Sequence, residues 1–307
     1  MVNKTKSPPP SLETKNRPRP RVVMHKLRVK ERTTAVEFLA KKTDLSKTKI
    51  KEIMTKGAVW ISSSGNQKRL RRATHSLHAD SFLSIYYDEE IIELEPKLLE
   101  PIFEAQTYSL WIKPSGLICG GSRFGDHCSV NRVIEKQTNK PCFLVHRLDR
   151  FASGILALAH SKSAAKAISK QFRERSVDKV YKALVHGRLL KNIKLESPIE
   201  GKKSISHVNP ICNDQSRTLV RVKIATGRKH QIRRHLSEVG FPIIGDRQYG
   251  SDSNINLQLV SVFTGFICPE TKKKFLLSCQ GLTTHRFNQQ IESVFPPRSQ
   301  IRSRQRR

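Results

Sequence analysis

The longest clean apolar run in this chain covers residues 155–159, and that ceiling on apolar length restricts the fold more than any other feature. A membrane-spanning helix needs about 20 apolar residues, so none is expected. A short run that follows Gly154 fits instead a strand buried on both faces of a sheet. A second short strand is expected over 143–145, and together the two pin the ends of an intervening loop, His146-Arg147-Leu148-Asp149. That loop holds one carboxylate between Arg147 and Arg150, in a chain with 57 Lys and Arg against 26 Asp and Glu.

The formal charge of +31 makes polyanions the natural partners, and nucleic acid the first of them. The six cysteines show no Cys-x-x-Cys spacing, which argues against a zinc knuckle or a thioredoxin-like site and for reduced thiols in the cytoplasm. No metal site is expected. The first residues lack the apolar core of a secretory signal and are interrupted by Pro8, Pro9, Pro10, Pro18 and Pro20. They read as a disordered basic arm over 1–24, and a second basic tail is expected over 298–307.

After the arm, Val36 and Leu39, then Ile50, Ile53 and Met54, recur at helical spacing around a polar break and predict two short helices. Ser46 is a good N-cap for the second, and Gly57 a good stop. Strands follow over 58–61 and 82–87. The glutamate-rich 89–100 reads as a linker into a larger domain over 101–297. That domain opens with a strand at 108–112, broken by Lys113-Pro114-Ser115-Gly116. Ser161 caps a helix whose Ala164, Ala165, Ile168 and Phe172 share a face, strands follow at 180–185 and 219–224, and a helix is expected from His230 to Val239 with Ile232, Leu236 and Val239 buried.

Helix, Ser-capped basic helix, Lys-Gly turn and strand in that order resemble the S-four RNA-binding domain over 25–88, with Lys47, Lys49, Lys51 and Lys56 on the basic helix. From about 100 onward the chain resembles the Rlu family of large-subunit ribosomal and tRNA pseudouridine synthases. The resemblance rests on Lys113-Pro114-Ser115-Gly116-Leu117, His146-Arg147-Leu148-Asp149 with Ser153-Gly154, Lys179-Val180-Tyr181 with Gly187, Thr226 through His235, Gly245-Asp246 and Tyr249-Gly250. It implies an α+β architecture: a small S-four module, then a catalytic domain with a large mixed, mainly antiparallel sheet and a central cleft.

The activity implied is isomerisation of a uridine within RNA, a reaction needing no cofactor. Asp149 carries over as the catalytic aspartate, either as nucleophile or as base, and the sequence leaves both roles open. Arg233 matches the arginine paired with it, and Tyr181 the catalytic aromatic that packs against the target base and is positioned to help remove the proton from carbon 5. Arg147 matches a residue that fills the space left by a flipped uridine. Arg228, His230, Gln231, Lys47 and Lys51 join it as candidate RNA contacts, while His146, Gln231 and His235 are expected to orient loop and helix. Ribosomal RNA is favoured over tRNA, and a monomer with no required protein partner is expected. Two departures from the family pattern are Phe151-Ala152, where relatives carry threonine before Ser-Gly, and Val260-Ser261. The rival reading is a noncatalytic RNA-binding factor in ribosome assembly on the same fold. A two-metal nuclease needs converging carboxylates that the surroundings of Asp149 do not supply.

Overall fold

The computed structural model describes residues 21–63, 66–95, 98–250 and 255–278. The expected disordered arm, up to residue 20, and the basic tail at 298–307 lie outside them. The chain divides near Glu95 into two compact units, with Ser122–Asp126 belonging to the first.

The first unit contains β1 (Arg21–Arg28), β2 (Thr33–Thr34), α1 (Ala35–Lys42), α2 (Lys47–Thr55), β3 (Val59–Ser63), β4 (Asn66–Arg69), β5 (Ser76–Leu77), β6 (Phe82–Asp88) and α3 (Glu89–Ile92). The two predicted helices form where their caps place them: the Thr34 side chain accepts from Glu37 N, and the Ser46 side chain accepts from Lys49 N. Their apolar stripes, Phe38 and Leu39 from one and Ile50, Ile53 and Met54 from the other, bury with Val59, Leu83 and Ile85 of the sheet β1-β6-β3-β4. The chain is already a strand from Arg21, earlier than expected of a disordered arm, because Arg21 through Met24 pair with Asp88 through Ile85. Glu89–Ile92, at the start of the expected linker, form α3, capped by the Asp88 carboxylate.

The second unit is built on a ten-stranded sheet. Its elements are β7 (Pro101–Glu104), β8 (Tyr108–Lys113), α4 (Val130–Thr138), β9 (Phe143–Leu144), β10 (Ser153–Ala159), α5 (Lys162–Glu174), β11 (Asp178–His186), β12 (Ile193–Leu195), β13 (Ser206–Asn213), β14 (Arg217–Ile224), α6 (Gln231–Glu238), β15 (Leu259–Ile267) and β16 (Lys274–Ser278). The strand order is β12-β13-β14-β11-β15-β10-β8-β7, with β16 beside β15 and β9 beside β10. Among these pairings only β10 with β15 is parallel.

The apolar run of β10 is explained by its place in the middle of this sheet. Ile155, Ala157 and Ala159 face one core with Ala164 and Ile168 of α5, while Leu156 and Leu158 face the other with Val130, Val133 and Ile134 of α4. A strand covered on both sides has no polar alternation to display. Truncating a leucine there to alanine costs about 2–5 kcal/mol. Gly154 makes the parallel seam possible: at φ +106°, its missing Cβ would stand 2.2 Å from the Ser261 carbonyl oxygen on β15.

The last helix departs from expectation at both ends. His230 is its N-cap in the left-handed conformation, so the helix starts at Gln231, and Val239 is its C-cap, 41% exposed rather than part of the buried stripe. Helix α4 and strands β12 and β13 were not anticipated from the sequence.

Candidate active site

The loop between β9 and β10 carries Asp149, and the segment after β8 holds it from beneath. Lys113, fully buried, points its ammonium at three carbonyls: Pro114 at 2.9 Å, Leu117 at 2.8 Å and Arg150 at 2.9 Å. Burial brings that ammonium down to about 8. Gly116 N also donates to the Arg150 carbonyl, and Ser115 Oγ donates to the Phe151 carbonyl at 2.8 Å. Below Leu148, Cys119 Sγ lies 3.2 Å from the amide nitrogen and 3.3 Å from the carbonyl oxygen, closing a clamp on the residue before Asp149. Ala152 is buried, so the loop takes its hydrogen bonds from Ser115, Lys113 and Cys119 with no hydroxyl at 152.

His146 fixes the other side of the loop. Its Nε2 accepts from Ala157 N at 3.0 Å, and its ring stacks on Phe172 at 4.3 Å. Burial and the neighbouring Lys179 push the imidazole down to about 3, so it is a neutral structural acceptor.

Helix α6 supplies the cation. Arg233 forks onto Asp246, with Nε to Oδ2 at 2.7 Å and Nη2 to Oδ1 at 2.8 Å, while its Nη1 reaches Asp149 Oδ2 at 3.6 Å. Asp246 Oδ1 also accepts from the amides of Gln248 and Tyr249, both at 3.0 Å. Burial works against charge on both members of this pair, and their attraction outweighs it: Arg233 is held above its ordinary range and Asp246 below its own. The Tyr249 ring lies 5.0 Å from the guanidinium carbon. The tight partner of Arg233 is therefore Asp246, and Asp149 meets the one nitrogen the fork leaves over.

Tyr181 comes from β11. The pairing with β15 slips between Val180 and Tyr181, an irregularity of the kind that re-aims a side chain. Burial, then the Asp149 carboxylate, raise its phenol, which stays protonated at neutral pH. His230 Nε2 stands 3.9 Å from Asp149 Oδ1, and its Nδ1 meets the Tyr249 hydroxyl at 3.0 Å. Burial lowers His230, with Arg233 and Lys229 acting the same way and Asp149 opposing.

These side chains surround a cavity of about 100 Å³, lined by Arg147, Asp149, Tyr181, Arg228, His230 and Arg233 together with apolar Leu148, Ala152, Ile224, Ile232 and Leu259. Asp149 is the one carboxylate among the lining residues. Arg147 is exposed at the mouth, and Arg228 is tethered through Nε to the Lys203 carbonyl at 3.2 Å.

Gln231 lines the same cavity, and its amide is bonded within the protein. Its Oε1 accepts from Thr226 Oγ1 and Arg228 N, and its Nε2 donates to the Ile205 carbonyl and Ser206 Oγ. With its amide committed on both sides, it splints the 226–228 turn to the helix. His235 is held likewise between Ser206 Oγ and the Ser197 carbonyl. Lys47 and Lys51 belong to the first unit and do not line the cavity. Lys47 is ion-paired to Glu37 at 2.7 Å, whereas Lys51 is exposed with no ion pair among the described residues.

Sequence reasoning quoted Lys113 and Asp246 as pattern residues without giving them work, and passed over Cys119 and Tyr249 as parts of the site. The signal for Asp246 was an acid placed after Gly245 in a turn-rich segment of a basic chain. Its partner could not be read without the fold.

A family model described as RNA pseudouridylate synthase matches residues 107–238. An uncharacterized RNA pseudouridine synthase of Aquifex aeolicus is 28% identical over 256 residues, spanning 74% of this chain and 80% of the relative. The ribosomal large subunit pseudouridine synthase C of Buchnera aphidicola subsp. Schizaphis graminum is 35% identical over 213 residues, spanning 59% of this chain and 67% of the relative. Among solved structures, human RNA pseudouridylate synthase domain containing 1 superposes with a TM-score of 0.52 at 21% identity, over 60% of this chain and 85% of that one, which is a likeness of fold. The chain belongs to the RNA pseudouridine synthase family, the isomerases that convert uridine to pseudouridine in RNA.

Proposed function

We propose that this protein isomerises a uridine of ribosomal RNA, with Asp149 as the catalytic residue. The observation that carries the reading is the cavity of about 100 Å³ in which the single lining carboxylate sits against Arg233 and shares the space with Tyr181. Relatives named for both ribosomal large-subunit and tRNA modification match the chain, and the ribosomal assignment leans on the first unit as an S-four module.

The target nucleotide turns out of its stack into the cavity, and Arg147 at the mouth fills the gap it leaves. Asp149 breaks the bond between ribose carbon 1 and base nitrogen 1, either by bonding to carbon 1 as nucleophile or by taking the proton from ribose carbon 2 as base, and the uracil departs as an anion among cationic walls that favour its charge. The base turns and carbon 5 bonds to ribose carbon 1, which releases the carboxylate in the first route and takes the proton back at carbon 2 in the second. The proton on carbon 5 leaves last to the Asp149 carboxylate, the anionic acceptor at hand, and nitrogen 1, freed of the sugar, takes up a proton, so that a neutral base and an ionised Asp149 are restored. Tyr181, being a neutral phenol, serves as a surface and hydrogen-bond donor for the base. Arg233, set by Asp246, holds the carboxylate in place. The enzyme acts as a monomer in the cytoplasm, and Lys51 is an outlying RNA contact.

The test is pseudouridine mapping across the RNA of cells lacking the protein, restored with wild type or with Asp149→Asn. One site, in ribosomal RNA, is expected to lose its modification and to regain it with wild type alone. Full restoration by D149N removes Asp149 from the chemistry. An unchanged pseudouridine map with defective ribosomal subunits favours the noncatalytic assembly factor.

A further inference from the structure

Two residues past Asp149, Phe151 is 39% exposed. Single exposed apolar side chains are ordinary on protein surfaces, and exposure alone carries no argument. The setting of this one does. The Arg150 guanidinium lies 5.3 Å from its ring centre and that of Arg247 lies 6.0 Å away. Arg150 is held there by an Nε bond to the Gly116 carbonyl at 3.1 Å, whereas Arg247 is exposed and has no ion-pair partner among the described residues.

The ring also forms part of a second cavity, of about 200 Å³, with Leu257 as further apolar lining and Gln248 as a polar wall. His230 and Arg233 line both this cavity and the one that holds Asp149, so the two spaces share a wall. Whatever occupies the second stands beside whatever occupies the first. An aromatic face with cations around it suits a nucleobase flanked by phosphates, since every base has a face to stack and a neighbouring charge to neutralise.

We propose that Phe151 is the stacking platform for the nucleotide next to the target uridine in the RNA, with Arg150 and Arg247 meeting its phosphates. This rests on the reading of the Asp149 cavity as the uridine site and adds to it a determinant of substrate choice. A ring at 151 makes the neighbouring base part of recognition, and Gln248 offers an amide to the edge of that base.

Phe151→Tyr keeps the ring, and Phe151→Leu keeps apolar bulk without it. With total RNA from cells lacking the protein as substrate, F151Y is expected within about twofold of wild type. F151L is expected to raise KM roughly fivefold or more with kcat within about threefold, as loss of one stacked base does. F151L kinetics equal to wild type overturn the proposal, and so does a fall in kcat at unchanged KM, which marks a role confined to loop structure. Ultraviolet cross-linking of wild type to the same RNA, read by mass spectrometry of the peptide containing Phe151, is independent of turnover. If wild type makes no pseudouridine, the reading of the uridine cavity fails while the cross-link still decides the subsite: a nucleotide on Phe151 retains it, and a peptide free of RNA overturns it.

Discussion

Replacing Asp246 with asparagine exchanges one oxygen for an amide nitrogen behind Arg233, and the site is built so that this exchange is costly. The Oδ1 side survives, since it accepts from the Gln248 and Tyr249 amides at 3.0 Å and an asparagine oxygen can do the same. The Oδ2 side fails: an NH2 group would face Arg233 Nε, donor against donor, at a contact of 2.7 Å. Arg233 stays buried with Asp149, at 3.6 Å, as its remaining anion. Removing one member of a buried pair costs about 3–5 kcal/mol, or a fall in Tm of roughly 6–20 °C for a domain of this size. A guanidinium displaced by about 1 Å from its place beside Asp149 is expected to lower kcat about 100-fold with little change in RNA affinity. Thermal unfolding and single-turnover pseudouridine formation measure the two effects. Because Asp246 titrates below its ordinary range, its contribution is complete above about pH 4 and is lost as pH falls below that, so the stability difference between wild type and D246N should narrow in acid. Arg233→Gln combined with Asp246→Asn leaves no buried charge unpaired, and should regain stability without regaining activity. A double variant no more stable than D246N, or a D246N enzyme with wild-type Tm and turnover, would refute the argument.

Other variants probe the remaining parts of the site. Tyr181→Phe keeps the ring and should leave RNA affinity within about threefold, while Tyr181→Ala loses a stacking surface worth about 1–3 kcal/mol; equal affinities for the two in filter binding would remove Tyr181 from contact with the base. Gly154→Ala places a methyl 2.2 Å from the Ser261 carbonyl at a φ of +106°, and a loss of several kcal/mol in denaturant unfolding is expected, against a fraction of that for Gly201→Ala, where nothing lies within 4 Å. Lys113 should titrate near 8 by NMR against about 10.4 unfolded, so between those values the unfolded chain binds more protons and this group adds stability as pH rises; a midpoint near 10.4 contradicts its burial.

The parts of the fold legible in the sequence are those whose signals are local. Ser46 and Ser161 are N-caps as their side chains dictate, and the apolar block of β10 is a strand because it is covered on both faces. Helix α4 lacks such a signal: its stripe of Val130, Val133 and Ile134 is hidden among polar residues. The strand β13 carries a proline and few large apolar residues, and it exists because β14 and β12 pair with its two edges, which is information from other parts of the chain. Tertiary pairing of this kind overrides local propensity.

The site divides along the same line. Asp149, Tyr181 and Arg233 stand out as residue types near recognisable patterns, and all three line one cavity. What the patterns withheld was which acid Arg233 serves. Burying an arginine calls for a partner that satisfies its fork, and a carboxylate that stays open to the cavity cannot be that partner without surrendering both its oxygens. The chain meets the two demands with two aspartates: Asp246, with no exposed surface, takes the fork, and Asp149, about a quarter exposed, keeps one loose contact and stays open to the cavity. The same economy explains the amide of Gln231, which lines the Asp149 cavity yet spends its hydrogen bonds on the 226–228 turn and on β13. A sequence shows which polar residues come near the chemistry, but only the count of their bonds separates those that hold the site from those left free to meet RNA.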